Sequence, residues 1–266
     1  MPEGDTVWRA ARLLDRALSG QDLTATDFRV PAFATWDLSG ARVSETVSRG
    51  KHLLTRIDAD SSWTLHTHLK MEGGWRVLEP GRRWPRPAHT ARVVLKTTNT
   101  VAVGFSLGIV EVVPRDRESD VVGHLGPDLL GPDWDPDEAV RRLSEQPDRA
   151  IKEALLDQTR LAGIGNMYAA ELCFVAGVAP ETPVADVSDV RRLVDRAHQM
   201  LEVNSRRAQQ STTGDLVRGR QFWVYDRAGR PCRRCGTVIV TATFGPSTQE
   251  RLTYWCPRCQ PRSRPG

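Results

Sequence analysis

Two Cys-x-x-Cys pairs near the end of the chain constrain its fold more than any other feature. Cys232 and Cys235 form the first pair, Cys256 and Cys259 form the second, and 20 residues separate the pairs. This spacing is typical of a structural zinc site in which four thiolates surround the metal. Four thiolates leave no open coordination position, so we expect one Zn²⁺ ion with a structural rather than a catalytic role.

The region around these cysteines is strongly basic. Two runs between the pairs, 238–243 and 251–255, have the composition of the two strands of a β-hairpin, with Arg251 near its tip. Residues 213–266 contain ten Arg and three Asp or Glu, a net charge of +7; since the whole chain carries +4, residues 1–212 carry −3. A basic tail on a nearly neutral body is typical of a nucleic-acid-binding module, although a solvated Arg-rich end has the same composition.

Length and cysteine usage indicate the class of protein. A chain of 266 residues favours two domains plus a small module. Cysteines in metal-type pairs indicate a reducing compartment. The sequence has no charged-then-apolar leader and no apolar run long enough to cross a bilayer. We therefore expect an intracellular protein that does not associate with membranes.

The first residues, Met1-Pro2-Glu3, offer a chemical group that is rare in proteins. Removal of Met1 would leave a secondary amine at Pro2, which can add to an aldehyde carbon to give a cationic iminium. Glu3 would place a carboxyl beside it for proton transfer. A helix predicted over residues 6–18 would hold both groups in place, as catalysis requires. A proline that merely leads into a helix has the same sequence.

Short alternating runs between residues 23 and 113 predict a β-sandwich or barrel. These runs are 41–47, 63–69, 75–78, 91–95 and 108–113.

Two turns in this region carry candidate functional residues. Lys51, one of only four lysines, lies in an Arg-Gly-Lys-His turn; unlike Arg, a lysine can give up a proton. Met71 follows Lys70 on a turn flanked by glycines, where an exposed methionine could act as a wedge in a base stack. The ordinary alternatives are a surface lysine and a core methionine.

Beyond a linker at 114–136 the apolar period becomes helical, which predicts an all-α domain. The predicted helices are 137–145, 149–158, 166–176 and 187–207. A Gly-Ile-Gly-Asn sequence places Asn166 at the start of the third helix, where backbone N–H groups can bind phosphate. A capped helix with nothing bound is the alternative. Cys173, in the same helix, is predicted to be a small buried side chain.

In this order, the motifs resemble those of the formamidopyrimidine-DNA glycosylase and endonuclease VIII family of bacterial base-excision repair enzymes. The resemblance covers residues 2 to about 261, nearly the whole chain. It implies an α+β multidomain fold. The N-terminal helix and β-sandwich would form a catalytic domain over residues 1–114. A linker and a helix-two-turns-helix DNA-binding domain would occupy 115–212, and a four-cysteine zinc finger 223–261.

The resemblance also implies roles for individual residues. Pro2 would attack the deoxyribose C1′, displace the damaged base and form a Schiff base, with Glu3 as the proton donor. Lys51 would serve the β-elimination, and Arg251 would serve the δ-elimination while holding phosphate. Met71 would fill the gap left by the flipped base. The full set of implied DNA contacts is Lys70, Met71, Leu107, Asn166 and Arg251.

Two departures from the purine-repair branch bear on the substrate. The chain begins Pro2-Glu3-Gly4-Asp5, as in the endonuclease VIII branch, and Phe105-Ser-Leu-Gly108 stands where the purine branch carries Arg-Arg-Phe-Gly. Because Arg is the usual bidentate reader of base edges, its loss favours oxidised pyrimidines and abasic sites over 8-oxoguanine.

The resemblance therefore predicts a monomeric glycosylase and abasic-site (AP) lyase that acts on damaged DNA in the bacterial cytoplasm, at the nucleoid, by β,δ-elimination. The alternatives are an AP lyase alone, a glycosylase that prefers 8-oxoguanine or formamidopyrimidine, and a non-catalytic zinc-finger DNA-binding protein.

Overall fold

The computed structural model describes residues 2–244 and 251–262. Two compact units divide the chain, Met1–His124 and Leu125–Gly266. The domain limits expected from the sequence, at residues 114 and 212, stay predictions. Within the described residues, no helix combines the length and apolar character needed to span a membrane.

The first unit begins with helix α1 (Gly4–Leu18), close to the predicted span. Its buried positions recur every three or four residues, so one face of the helix packs against the core. Glu3 is the N-cap residue, and the helix ends before Gly20, whose φ of +75° favours glycine.

Two four-stranded antiparallel sheets complete this unit and confirm the predicted sandwich. The first has the strand order β1-β6-β7-β5, with strands β1 (Ala25–Phe28), β5 (Gly74–Leu78), β6 (Ala91–Lys96) and β7 (Val101–Phe105). The second has the order β2-β3-β4-β8, with strands β2 (Arg42–Arg49), β3 (His52–Asp58), β4 (Ser62–His68) and β8 (Ile109–Pro114). A shared core joins α1 to both sheets, and Leu53, Leu65 and Leu95 are among its fully buried members.

Strands β1, β3 and β7 were not among the predicted runs, and the structure gives the reason. Strand β3 has three consecutive buried residues, 53–55, so its positions do not alternate. All five residues of β7 are buried, so the strand has no alternation of polar and apolar positions. Strand β1 has only four residues, too few for a period to show.

A short segment after β8 covers the far side of the second sheet. It contains one turn of 3₁₀ helix (Arg115–Arg117) and helix α2 (Glu118–Val122). The Glu118 carboxylate accepts two hydrogen bonds from the Arg56 guanidinium, both at 2.8 Å, and one from the Thr64 hydroxyl. These contacts fix the segment on the sheet face opposite the core.

In the described part of the second unit there are four α-helices, one turn of 3₁₀ helix (Val184–Asp186) and a hairpin. The helices are α3 (Pro136–Ser144), α4 (Ile151–Leu156), α5 (Asn166–Ala176) and α6 (Val190–Ser205); α5 has the predicted ends, and the ends of the other three lie within three residues of those predicted. Strands β9 (Val240–Phe244) and β10 (Arg251–Trp255) form the expected hairpin, whose predicted tip lies outside the described residues. Helix α5 is buried on nearly every side, which identifies it as the central helix of the unit.

Candidate active site and metal centre

The start of the chain is anchored. Glu3 is fully buried and its carbonyl accepts a hydrogen bond of 3.0 Å from the Val7 N–H, while Pro2 is half-buried. Because helix α1 packs into the core directly after these residues, Pro2 has a fixed place on the first unit. This is the placement that a terminal amine needs in order to act as a nucleophile.

Lys51 lies in a two-residue turn between β2 and β3. Arg49 pairs with His52 across the turn, so only Gly50 and Lys51 lie between the strands. Lys51 is half-buried, and its charge helps to lower the pKa of two neighbouring histidines, His52 and His68. The turn therefore places a cation among neutral imidazole rings.

The turn that carries Met71 is held rigidly. His68 Nδ1 accepts a hydrogen bond of 2.9 Å from the backbone N–H of Lys70, whose φ of 51° is rare for a residue other than glycine. A Cβ at Gly73 would clash with the Leu69 carbonyl, and the Gly73 N–H donates to that carbonyl at 2.9 Å. Met71 itself is 62% exposed. The fold thus presents an apolar side chain to solvent on a fixed support.

Leu107 does not lie on the surface. It is buried in the core of the first unit, and a Cβ at Gly104 would clash with its Cδ1 atom. This burial favours a packing role over the DNA contact predicted for Leu107.

A chain of imidazole rings lies beside Lys51. Strand register places His52 opposite His68 and His66 opposite Glu111. His52 Nδ1 is 2.8 Å from His66 Nε2, and His66 Nδ1 is 3.0 Å from Glu111 Oε2. Burial first, then the neighbouring charges, lower the pKa of His52 to about 3 and that of His68 to about 4. Both rings are therefore neutral at physiological pH.

In the second unit, Asn166 binds the finger hairpin. It is the first residue of α5, and its Nδ2 donates to the Leu252 carbonyl at 2.9 Å. The Asn166 side-chain oxygen is buried without a hydrogen-bond partner among the described residues. Capping of the helix, the alternative considered from the sequence, is thus not what Asn166 does.

Lys152 of α4 contacts β10 at Thr253, the residue after Leu252. It is 2% exposed and its Nζ hydrogen-bonds the Thr253 hydroxyl. Burial, and to a smaller extent the charge of Arg251, lower the pKa of Lys152 to about 8, while Cys173 acts in the opposite direction. Asn166 and Lys152 thus hold β10 at the two residues that follow the exposed Arg251.

Glu171 of α5 anchors the segment that leads into the finger. It is fully buried and accepts hydrogen bonds of 2.8 Å from the backbone N–H groups of Trp223, Val224 and Tyr225, and one from the Thr212 hydroxyl. Burial raises the pKa of this carboxyl, and the four hydrogen bonds act against that rise.

The four finger cysteines form one cluster. Their sulfur atoms all lie within 4.8 Å of one another, with 3.9 Å between Cys232 and Cys259 and 3.4 Å between Cys235 and Cys256. A disulfide would require about 2.05 Å. Tetrahedral zinc with Zn–S bonds of about 2.3 Å separates its ligand sulfurs by about 3.8 Å. The donor set and its spacing therefore fit a zinc ion. The fifth cysteine, Cys173, is buried as predicted.

Comparison with known proteins accounts for almost the whole chain. The family model described as the formamidopyrimidine-DNA glycosylase N-terminal domain matches residues 1–106, and that of the formamidopyrimidine-DNA glycosylase H2TH domain matches 125–215. A third, the zinc finger found in FPG and IleRS, matches 229–262.

Relatives with similar lengths extend these matches. The probable endonuclease 8 2 of Streptomyces coelicolor is 52% identical over 100% of this chain and 97% of its own. The DNA-(apurinic or apyrimidinic site) lyase Nei2 of Mycolicibacterium smegmatis is 53% identical over 99% of this chain and 100% of its own. Endonuclease 8 of Escherichia coli is 32% identical over 98% and 100%.

The chain belongs to the formamidopyrimidine-DNA glycosylase and endonuclease VIII family. The names of its relatives place it in the endonuclease VIII branch. Its fold is also that of Lactococcus lactis Fpg, solved in complex with DNA containing an abasic site. That structure has a TM-score of 0.80 and 24% identity, over 98% of this chain and all of the other. The family and fold expected from the sequence are thus confirmed, including the four-cysteine zinc finger.

For this endonuclease VIII-branch protein, the predicted roles of individual residues stay predictions. Several residues that sequence reasoning missed lie next to the predicted ones: His52, His66, Glu111, Lys152 and Glu171. The rarity of lysine was the one signal that could have singled out Lys152. No spacing in the sequence joins residues 52, 66 and 111, because strand register alone brings them together.

Proposed function

We propose that this chain is a base-excision repair enzyme, a DNA glycosylase with AP lyase activity that removes oxidised bases and then cleaves the strand. The observation that carries this function is the anchored start of the chain, where half-buried Pro2 precedes the fully buried Glu3. In a family member, this geometry supports a terminal amine held at a fixed position beside a carboxyl group.

The first step is the exchange of the base for the amine. Once Met1 is removed, the Pro2 nitrogen attacks C1′ of the damaged nucleotide, and the bond between C1′ and the base breaks. The departing base takes the proton that the Pro2 nitrogen loses, Glu3 protonates the sugar ring oxygen O4′, and the C1′–O4′ bond breaks to give an iminium at C1′. The ordinary pKa of a terminal amine lies near 8, so about a tenth of such an amine is unprotonated at pH 7.

The second step is strand cleavage. The iminium acidifies the C2′ proton, so the phosphate at C3′ can leave by β-elimination without a metal or redox cofactor. The Lys51 cation serves this step on the first unit. On the second unit, Asn166 binds phosphate, and Arg251 holds phosphate and serves the δ-elimination that follows. The fixed position of β10 supports this role for Arg251.

DNA is the partner, and the exposed Met71 supports its recognition. A flipped base leaves a gap in the stack, and an apolar side chain on a fixed turn can fill that gap. Lys70 lies beside it, exposed to solvent. We further propose that the enzyme acts as a monomer on chromosomal DNA at the nucleoid, in the cytoplasm of a bacterial cell like those of its relatives.

Zinc has a structural role in this proposal. Cys232, Cys235, Cys256 and Cys259 hold one Zn²⁺ ion, which cross-links the segment before β9 to the end of β10. The ion takes no part in the reaction, because its four positions are filled by thiolates.

Oxidised pyrimidines are the proposed substrates. The chain carries Pro2-Glu3-Gly4-Asp5 at its start, and the turn between β7 and β8 contains Ser106 and Leu107 where an arginine would read the opposite base. A second candidate function, AP lyase activity alone, is favoured by the name of the Mycolicibacterium smegmatis relative.

One experiment tests the covalent step. Intact mass is measured before and after borohydride treatment with an abasic-site duplex, because borohydride reduces an imine to a permanent crosslink. We expect the untreated protein to lack Met1, and the treated protein to gain the mass of the DNA fragment. A preparation that retains Met1 serves as the control and should give no adduct. Full strand cleavage by that blocked protein would refute the mechanism.

Two further measurements separate the alternatives. A duplex with thymine glycol distinguishes the glycosylase, which removes the base, from a lyase, which leaves it in place. Arg251→Ala should weaken binding to damaged and undamaged DNA alike and reduce the salt dependence of binding by about one charge. Arg141→Ala, an exposed arginine on α3 paired with Glu138, is the matched control. An unchanged salt slope would remove Arg251 from the phosphate contacts.

A further inference from the structure

Three side chains on the second sheet form a hydrogen-bonded chain that the proposed function does not use. His52 bonds His66 at 2.8 Å and His66 bonds Glu111 at 3.0 Å, on the face opposite the core residues Leu53 and Leu65. The His66 side chain is 3% exposed, whereas the Glu111 side chain is 46% exposed. The chain therefore runs from the turn that carries Lys51, through a buried ring, to a carboxylate in contact with solvent.

The chemistry of the three groups gives this chain a direction. An ionised carboxylate only accepts hydrogen bonds, so His66 Nδ1 donates to Glu111. A neutral His66 then has its lone pair on Nε2, and His52 Nδ1 must be the donor to it. This leaves the lone pair of His52 on Nε2. His52, at the opposite end of the hydrogen-bonded series from Glu111, is thus a proton acceptor through Nε2.

The surroundings of His52 determine where a proton can rest. The titratable and charged groups that face it are Lys51 in the β2–β3 turn, His66 and His68 on β4, and His124 after α2, and Lys70 lies beyond His68. The ring centroids of His68 and His124 lie 5.0 and 6.3 Å from that of His52.

A positive charge on His52 would therefore face a lysine and stay poorly solvated. The same charge on His66 would lie against the Glu111 carboxylate. A proton that arrives at His52 is thus stabilised only after a second proton has moved on to His66.

We propose that His52, His66 and Glu111 form a proton relay for the β-elimination, which rests on the proposed function. The C2′–H bond breaks and its electron pair forms the C1′–C2′ enamine as the iminium is neutralised. The enamine electrons then expel the phosphate, with cleavage of the C3′–O bond, and a conjugated iminium remains.

The proton is passed along the relay in two transfers. His52 Nε2 takes it from C2′, and the proton on His52 Nδ1 moves to His66 Nε2. His66 becomes an imidazolium beside Glu111, and it returns the proton to solvent at the exposed carboxylate. Lys51 acts as a fixed cation for the leaving phosphate. His66 and Glu111 are positioning residues in this scheme.

The test separates imine formation from imine decay. Wild-type enzyme, Glu111→Gln and His66→Gln are each reacted with an abasic-site duplex in single turnover. Borohydride-trapped adduct and cleaved strand are measured over time. Glu45→Gln is the control, since Glu45 lies on the same sheet, is ion-paired with Arg56 and has a side chain 47% exposed.

We expect unchanged formation of the trapped adduct in both relay variants, with its decay to cleaved strand slowed. The cleavage rate should fall about a hundredfold in His66→Gln, the lower end of what general base catalysis contributes, and about tenfold in Glu111→Gln, where the relay stays but loses its stabilising carboxylate. The deficit should shrink as pH rises, because hydroxide and buffer bases then take the C2′ proton directly. A packing defect would not have this pH dependence.

The outcomes are distinguishable. Absence of a trapped adduct in the wild type would reject the proposed function itself. With the adduct present, cleavage by Glu111→Gln at the rate of Glu45→Gln would overturn the relay. A parallel fall in adduct formation and cleavage would overturn it as well, because the relay acts only after the imine has formed.

Discussion

Replacement of the buried Lys152 by methionine should make the protein more stable and less active. Lys152 is 2% exposed, and burial lowers its pKa from the ordinary 10.5 to about 8. Keeping this side chain charged in the folded state at pH 7 therefore costs about 3 kcal/mol. Methionine has a similar length and removes that cost, while loss of the hydrogen bond to Thr253 lowers the free energy of unfolding by about 1 kcal/mol. Lys152→Met should thus gain about 2 kcal/mol at pH 7.

The stability gained by Lys152→Met should fall as pH rises. The unfolded chain binds the Lys152 proton more tightly than the folded chain, so the wild type becomes more stable as pH rises from about 8 towards 10.5. The cost is fully present below the folded pKa and is relieved between the two values. At about pH 9.5 the advantage of Lys152→Met should fall to a few tenths of a kcal/mol.

Activity should change in the opposite sense. Without Lys152, the start of β10 is held by the hydrogen bond from Asn166 to Leu252, so Arg251 loses part of its support. We expect cleavage of an abasic-site duplex to slow by about tenfold, the equivalent of roughly 1.4 kcal/mol in the barrier.

Urea denaturation at pH 7 and pH 9.5 measures the change in stability, and the cleavage rate of an abasic-site duplex measures the change in activity. Hydrogen exchange of the β10 amides measures the loss of support for Arg251. Lys96→Met, an exposed lysine on β6, is the control and should change none of these. A variant that is less stable than the wild type at both pH values would show that the buried charge carries no cost and would refute the reasoning.

Three further changes test other contacts. Glu171→Gln should lose about 2–4 kcal/mol in urea denaturation, because an amide nitrogen would face either the Trp223 N–H or the buried Val224 N–H; a loss below about 1 kcal/mol would contradict this. Cys256→Ser should release zinc, measured by atomic emission, and lower the melting temperature of the second unit. An unchanged melting curve after zinc loss would contradict a structural role. Met71→Ala should slow thymine glycol excision by about tenfold and leave abasic-site cleavage nearly unchanged, since an abasic site has no base to unstack; equal losses would exclude the wedge.

Much of the fold could be predicted because its elements have strong periods. The helices α1, α3 and α6 follow from apolar spacing, and the hairpin follows from the spacing of the cysteines. Strand β7 could not be predicted in this way, because its continuous apolar run gives no period. Helix α4 is shorter than predicted because its first turn begins after Ala150, whose extended backbone keeps it out of the helix.

The candidate site likewise contains residues that a local pattern predicts and residues that only strand register or packing brings together. The four cysteines were predictable because metal ligands occur at characteristic spacings. The His52–His66–Glu111 chain was not, since its members come from three strands and meet only through register. Lys152 and Thr253, which are 101 residues apart, likewise meet through packing that no local pattern records.

The cysteine cluster shares its apolar surroundings with the central helix of the second unit. Phe174 of α5 packs in one cluster with Cys232 and Cys256, stacks on Trp223 and lies under the Arg234 guanidinium. Deletion of the finger would therefore expose apolar side chains on one side of α5, the helix that carries Asn166. A descendant of this chain that lost the metal would have to refill that surface at the same time, so the two parts can change only together.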